Sequence, residues 1–248
     1  MTFDATSVAL IAASPFIGSF LGVVALRRDR TVLFGRSACD TCGATLSARD
    51  LVPLASFAVL RGRCRHCGAG IEPLHVVMEI GALVIALWAA FVTSGWIMAA
   101  SCALGWTLLT LGAIDWRTGL LPDVLTLPLI AVGLGVAYAI EPAALLGHVI
   151  GAAAGFMAFA ALAEIYRRVR GRDGLGLGDA KLLGASGAWL GWSALPTVVL
   201  YAAFIGLALV LARRTRGQAM QATDRLAFGP ALAAATWLVW LYGPLVAG

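Results

Sequence analysis

Long apolar runs separated by short polar breaks dominate the chain. They fall at 5–26, 74–93, 96–114, 123–140, 143–166, 180–191, 195–212 and 226–246. Most are close to the ~20 residues that a helix needs to cross the bilayer core. The sixth is short and glycine-rich, which predicts a helix that is tilted, broken or shielded by its neighbours. The pattern predicts an all-α polytopic membrane protein of about eight transmembrane helices, with one sizeable polar segment after the first.

Composition agrees. Hydrophobic residues make up 60% of the 248 positions and charged residues only 12%. A soluble domain would carry about twice that charge. Mean hydropathy is +0.90. The first apolar run is too long for a cleaved signal and is followed by Arg27, Arg28 and Arg30, so we expect it to stay as the first transmembrane helix.

The net charge of +5 is explained by where the basic residues stand. With the N-terminus outside, the inner segments become 27–73, 115–122, 167–179 and 213–225. All 18 Lys and Arg then lie on that side or, for Lys181, at its boundary. The short outer loops carry none, which is the positive-inside pattern. Topology and contact with anionic membrane lipid account for these clusters, and we expect no nucleic-acid partner. An inner-membrane location follows in a host with two membranes.

The expected organisation is a first transmembrane helix over 1–26, a small cytoplasmic domain over 27–73, and a membrane domain of about seven helices over 74–248. The segment 27–73 is too small for a large apolar core, so a metal would help to hold it. It contains Cys39-Asp40-Thr41-Cys42 and Cys64-Arg65-His66-Cys67, each followed by glycine. Two such turns can aim four thiolates at one tetrahedral centre, the geometry that Zn²⁺ favours. Iron is the alternative in the same sulfur cage. A disulfide or redox pair is disfavoured on the cytoplasmic side. Four cysteines complete the shell without His66 and leave no open position, so the metal is expected to be structural. Cys102, inside an apolar run, is read as packing.

Two aspartates stand at membrane boundaries. Asp115 ends one apolar run; Asp179 follows Gly174-Leu175-Gly176-Leu177-Gly178 and opens another. An ionisable group there is costly and is a functional-site hypothesis by default. The topology puts both on the cytoplasmic side. Two carboxyls from different helices can share a proton and activate a water, as in an aspartic protease. The bland alternative is a surface carboxylate paired with Arg117 or Lys181, although residues two apart on a helix do not face each other.

These residues resemble the type IV prepilin peptidase family, membrane aspartic proteases of the Gly-x-Gly-Asp type. The likeness runs through Gly18-Ser19-Phe20-Leu21, the two cysteine pairs, Glu79, Ala113-Ile114-Asp115, Leu121-Pro122-Asp123, Gly176-Leu177-Gly178-Asp179-Ala180-Lys181 and Phe228-Gly229-Pro230. The ordered set is far more specific than a lone Gly-x-Gly-Asp. It implies that Asp115 and Asp179 are the catalytic pair. It also implies cleavage of the N-terminal leader of prepilins or pseudopilins beside their first apolar helix. The new N-terminal residue would be methylated with S-adenosylmethionine. Gly22 stands where the family often has asparagine, and Asp40-Thr41 fills a knuckle that often carries proline.

The supporting candidates each have a plainer reading. Gly176 and Gly178 would let backbone approach an extended substrate. Asp123 suits a helix N-terminus and is expected to cap the fourth span, or else to support the site. Glu79 contacts the substrate's new ammonium or the methyl donor, or bonds within its own span. Lys181 raises the local potential or snorkels to the interface. Glu164 precedes Arg167 and Arg168 by three and four positions, which predicts helical ion pairs. Gly229 and Pro230 start the last helix, Pro in its first turn, or line a substrate channel. Trp96, Trp192 and Trp240 are expected as interfacial anchors. No dinucleotide-type glycine loop is present, so a methyl donor would need another kind of pocket. The competing functions are a protease without methyl transfer, a Gly-x-Gly-Asp protease of other helices, and a zinc-bearing membrane scaffold. The sequence sets no oligomeric state.

Overall fold

The computed structural model describes residues 4–26, 37–171, 176–215 and 228–245. All regular structure in these residues is helical. The order is α1 (Ala5–Leu26), α2 (Ala55–Val59), α3 (Leu74–Val92), α4 (Gly95–Thr118), α5 (Asp123–Ile140), α6 (Leu145–Arg170), α7 (Leu177–Leu190), α8 (Leu195–Thr215) and α9 (Gly229–Tyr242). Short 3₁₀ turns lie at Ala48–Leu51, Pro142–Ala144 and Trp192–Ala194.

Six of these helices are long and apolar enough to cross a membrane: α1, α3, α4, α5, α6 and α8. The other two long apolar runs form α7 and α9, of 14 residues each. Each is ~21 Å long at 1.5 Å per residue. The basic positions Arg27, Arg28, Arg30, Arg36, Arg172, Arg216 and Arg225, and Gly174 and Leu175 of the glycine-rich stretch, lie outside the described residues, as does the start predicted for the last helix.

The chain falls into two compact units, Met1–Thr110 and Leu111–Gly248. In the first, α1 packs on α3 through glycine. A Cβ on Gly18 would sit 2.5 Å from the Met78 carbonyl oxygen and 2.7 Å from Glu79 Cα. Small residues let membrane helices approach this closely. Trp106 of α4 donates its indole N–H to the Ala82 carbonyl of α3 at 3.0 Å. Cys102 is fully buried in α4, as packing requires.

The second unit is built around α7. Its residues from Asp179 to Trp189 are buried apart from Lys181, so it is surrounded by protein along most of its length. The contact with α6 is backbone on backbone. A Cβ on Gly187 would lie 2.1 Å from the Gly151 carbonyl oxygen, and one on Gly155 2.6 Å from the Leu183 oxygen. On α5, Gly133 makes room for the Trp189 indole, which donates to the Leu129 carbonyl at 2.9 Å. On α9, Thr236 and Ser186 share a buried hydroxyl hydrogen bond at 2.6 Å, worth ~0.6 kcal/mol for an average bond between membrane helices. Trp240, expected as an interfacial anchor, packs edge-on against Trp189 at 5.2 Å. Trp96 and Trp192 are exposed.

Candidate functional site: an aspartate pair and a four-cysteine cluster

Asp115 sits near the C-terminal end of α4. Gly119 closes that helix in a left-handed conformation, φ +65°, and its N–H returns to the Asp115 carbonyl at 2.8 Å. Asp179 occupies the first turn of α7, whose N-cap is Gly176. A helix N-terminus favours negative charge. The two side chains come from helices 64 positions apart in sequence, yet Asp115 is near enough for its charge to bear on Asp179. Both residues are buried, with 6% and 9% of their surface exposed.

Their surroundings differ. Gly229, first residue of α9, donates its N–H to Asp115 Oδ2 at 3.0 Å. A Cβ on Gly229 would lie 2.6 Å from that oxygen, so only glycine brings the backbone so near without displacing the carboxylate. Oδ1 of Asp179 is buried and has no hydrogen-bond partner among the described residues. Leaving a buried polar atom unmatched costs ~1–3 kcal/mol, which makes Asp179 a candidate functional group. Gly178 packs on Leu121, where a Cβ would stand 2.9 Å from the Leu121 Cβ. Its smallness seats α7 on the turn that follows α4. Gly176 has a wholly ordinary φ of −78°.

Asp123 lies in the first turn of α5, after Pro122 at the N-cap, so its negative charge stands at the helix N-terminus. Its carboxylate also takes the Lys181 ammonium, an ion pair from α5 to α7. Lys181 is therefore paired away from Asp179. Pro230 follows Gly229 in the first turn of α9. Arg213 of α8 lies over the ring of Trp116, 4.3 Å from its centroid. Glu164 pairs with Arg167 and Arg168 as its spacing predicts.

In the first unit, Cys39, Cys42, Cys64 and Cys67 converge, all four sulfurs within 4.8 Å of one another. Cys39 and Cys67 Sγ are 3.9 Å apart. Zn–S bonds of ~2.3 Å in a tetrahedron put sulfurs ~3.8 Å apart, so the donor set fits zinc in both chemistry and spacing. Each pair sits in the same small hairpin. In one, Gly43 donates to Cys39 O and Cys39 to Ala44 O; in the other, Gly68 donates to Cys64 O and Cys64 to Ala69 O. Gly43 and Gly68 have φ of +70° and +72°, where a side chain would be strained. The N–H groups of Cys42 and Thr41 reach the Cys39 sulfur and hold its thiol down at about 6, which favours the thiolate that binds metal. Asp50, held at about 2 by the Ser47 hydroxyl and Arg65, ties the second hairpin to the turn at Ala48–Leu51 through Arg65.

Glu79 is buried in α3, and its Oε2 accepts the Leu54 N–H at 2.8 Å. Leu54 has a φ of +60°, a conformation that costs ~1–3 kcal/mol outside glycine. The hydrogen bond to Glu79 contributes ~0.5–1.5 kcal/mol net, which offsets part of that cost. The bond leaves its own span, so the plainer sequence reading is replaced by a link from α3 to the loop before α2.

Residues 102–211 match the Type IV leader peptidase family, and residues 13–93 the Bacterial Peptidase A24 N-terminal domain. The chain belongs to the type IV leader peptidase family. Among curated relatives, the Prepilin leader peptidase/N-methyltransferase of Burkholderia pseudomallei (strain 1026b) is 47% identical over 80% of this chain and 64% of its own length. That of Aeromonas hydrophila is 39% identical, over 84% of this chain and 72% of the relative. The Pseudomonas aeruginosa protein of the same name is 34% identical, over 84% and 71%. The chain thus spans a little under two thirds of the Burkholderia relative. No solved structure matches. Family and helices together make this a multi-pass membrane protein.

Proposed function

We propose that the chain is a membrane aspartic endopeptidase that removes the leader of type IV prepilins and pseudopilins, then N-methylates the new N-terminal residue. The observation that carries this reading is the buried pair Asp115 and Asp179, drawn from two helices of a leader peptidase family member. In this mechanism one carboxylate is ionised and takes a proton from water as the water attacks the scissile carbonyl. The other is protonated and polarises that carbonyl; a proton then passes to the leaving amine. No acyl-enzyme forms. Gly229 N–H holds Asp115 in register throughout.

Cys39, Cys42, Cys64 and Cys67 would hold a structural Zn²⁺, which orders the hairpins and takes no part in the chemistry. S-adenosylmethionine is the methyl donor in this reading and supplies an electrophilic methyl group. Glu79 is assigned to that half, because a buried carboxylate suits the positive charge of a sulfonium or an N-terminal ammonium.

The topology in this reading has eight spans, with the N-terminus outside and the cysteine cluster and aspartates on the cytoplasmic side of the inner membrane. The brevity of α7 is tolerable because protein surrounds it. The test is cleavage of a prepilin by membranes bearing the native chain, Asp115→Asn or Asp179→Asn, with S-adenosylmethionine present and products weighed. Leader loss only with both aspartates intact, plus one added methyl, is the expected result. Leader loss without the methyl reduces the reading to a protease. Cleavage by both variants removes the pair from the mechanism.

A further inference from the structure

We infer that the Asp123–Lys181 ion pair is a positioning device that sets the rotation of α7 and so aims Asp179 at Asp115; this rests on the proposed function of the aspartates. Lys181 is two residues beyond Asp179. At ~100° per residue the two side chains leave α7 on nearly opposite faces. Drawing Lys181 toward Asp123 on α5 therefore turns Asp179 away from α5, and on this inference that is the orientation in which it meets Asp115. At the far end of the same helix, Trp189 is fixed to α5 by its hydrogen bond to Leu129 and its seat on Gly133. Between these two anchors α7 cannot roll.

The near anchor is the informative one. Gly178, next to Asp179, contributes only close contact with Leu121. A glycine at Gly176 gives no side chain to hold the helix start. Lys181 is the one residue between Asp179 and Trp189 that is not buried, and its charge is spent on α5 rather than on the carboxylate beside it. An ion pair this exposed adds little to stability. A displacement of ~1 Å at a reacting group can nevertheless cost ~10²-fold in rate. The signature of this device is thus a large rate effect with little change in melting.

The experiment uses the full chain in membranes. Asp123→Asn, Lys181→Met and the exchange Asp123→Lys with Lys181→Asp are assayed on a prepilin, with kcat and KM resolved. In parallel, a chain with Asp115→Cys and Asp179→Cys is bridged with a short bifunctional thiol reagent, with and without Lys181→Met, and bridged peptides are weighed. Each single change is expected to lower kcat about 10²-fold with KM nearly unmoved. The exchange should recover most of that loss, and Lys181→Met should lower the bridging yield several-fold. A rise in KM at constant kcat would make the pair a substrate contact and overturn the inference. So would unchanged bridging. If the native chain cleaves no prepilin while bridging still depends on Lys181, the functional reading fails and the positioning role stands.

Discussion

Gly229 and Asp115, 114 positions apart, meet through a backbone N–H and a carboxylate oxygen at 3.0 Å. A methyl group on Gly229 would fall 2.6 Å from Oδ2 and 2.9 Å from Cγ of Asp115. The flexible carboxylate is the part that would give. Gly229→Ala should therefore fold normally but lose about 10²-fold in cleavage, the scale for a misplaced reacting group. Circular dichroism and a cleavage time course on the same preparation check it. Native activity in this variant would mean that the Gly229 contact does not set the Asp115 position.

Glu79 invites a pair of substitutions with opposite consequences. Glu79→Gln keeps an acceptor for the Leu54 N–H; Glu79→Leu removes it. Limited proteolysis should show new cutting near Leu54 in the leucine variant alone, since that loop loses a bond worth ~0.5–1.5 kcal/mol. Methylation of cleaved prepilin should fall in both, because neither keeps the carboxyl group. Full methylation by Glu79→Gln would confine Glu79 to its structural bond.

The cysteine cluster predicts one zinc per chain, lost in Cys42→Ser and retained in Cys102→Ser. Binding to a site absent from the unfolded segment is coupled to its folding, so the hairpins should become protease-sensitive when the metal goes. Elemental analysis of purified protein decides between zinc and iron. A native metal content in Cys42→Ser would break the four-thiolate assignment.

Gly187→Ala is expected to be severe. Its methyl would lie 2.1 Å from the Gly151 oxygen and 2.2 Å from the Gly151 carbonyl carbon, and neither is a side chain that can swing aside. Overpacking typically costs ~1–3 kcal/mol, occasionally more, and a backbone clash belongs at the high end. Gly135→Ala, with open space around its α5 position, is the control and should be neutral or slightly stabilising. Thermal unfolding in detergent compares them; equal melting would mean that α6 and α7 can separate freely.

The helices were legible because each apolar run is long and its breaks are polar. The first was predicted at 5–26 and is Ala5–Leu26. Ends set by local turns were less so. The run ending at 114 continues as helix to Thr118, since Asp115 and Arg117 do not interrupt backbone bonding and Gly119 does. The cysteine hairpins were readable because both pairs carry a glycine at the same offset. The partnerships of Asp123 with Lys181, Glu79 with Leu54, and Gly229 with Asp115 were not. Each joins residues more than twenty positions apart, and only packing decides which polar group reaches which. A glycine chosen for closeness to a carboxylate looks, in sequence, like any helix-starting glycine.

The glycine seam between α6 and α7 has a mechanical consequence. Side chains act as cushions: they bend, swap rotamers and let helices slide. Along Gly151, Gly155 and Gly187 there is no cushion, only main chain against main chain. That middle stretch behaves as one stiff wall, and Asp179 stands before it begins, on the first turn that the seam does not reach. A helix held this way can shift only as a body with its partner, so the give in this unit belongs to contacts made by side chains, such as the Gly229–Asp115 hydrogen bond.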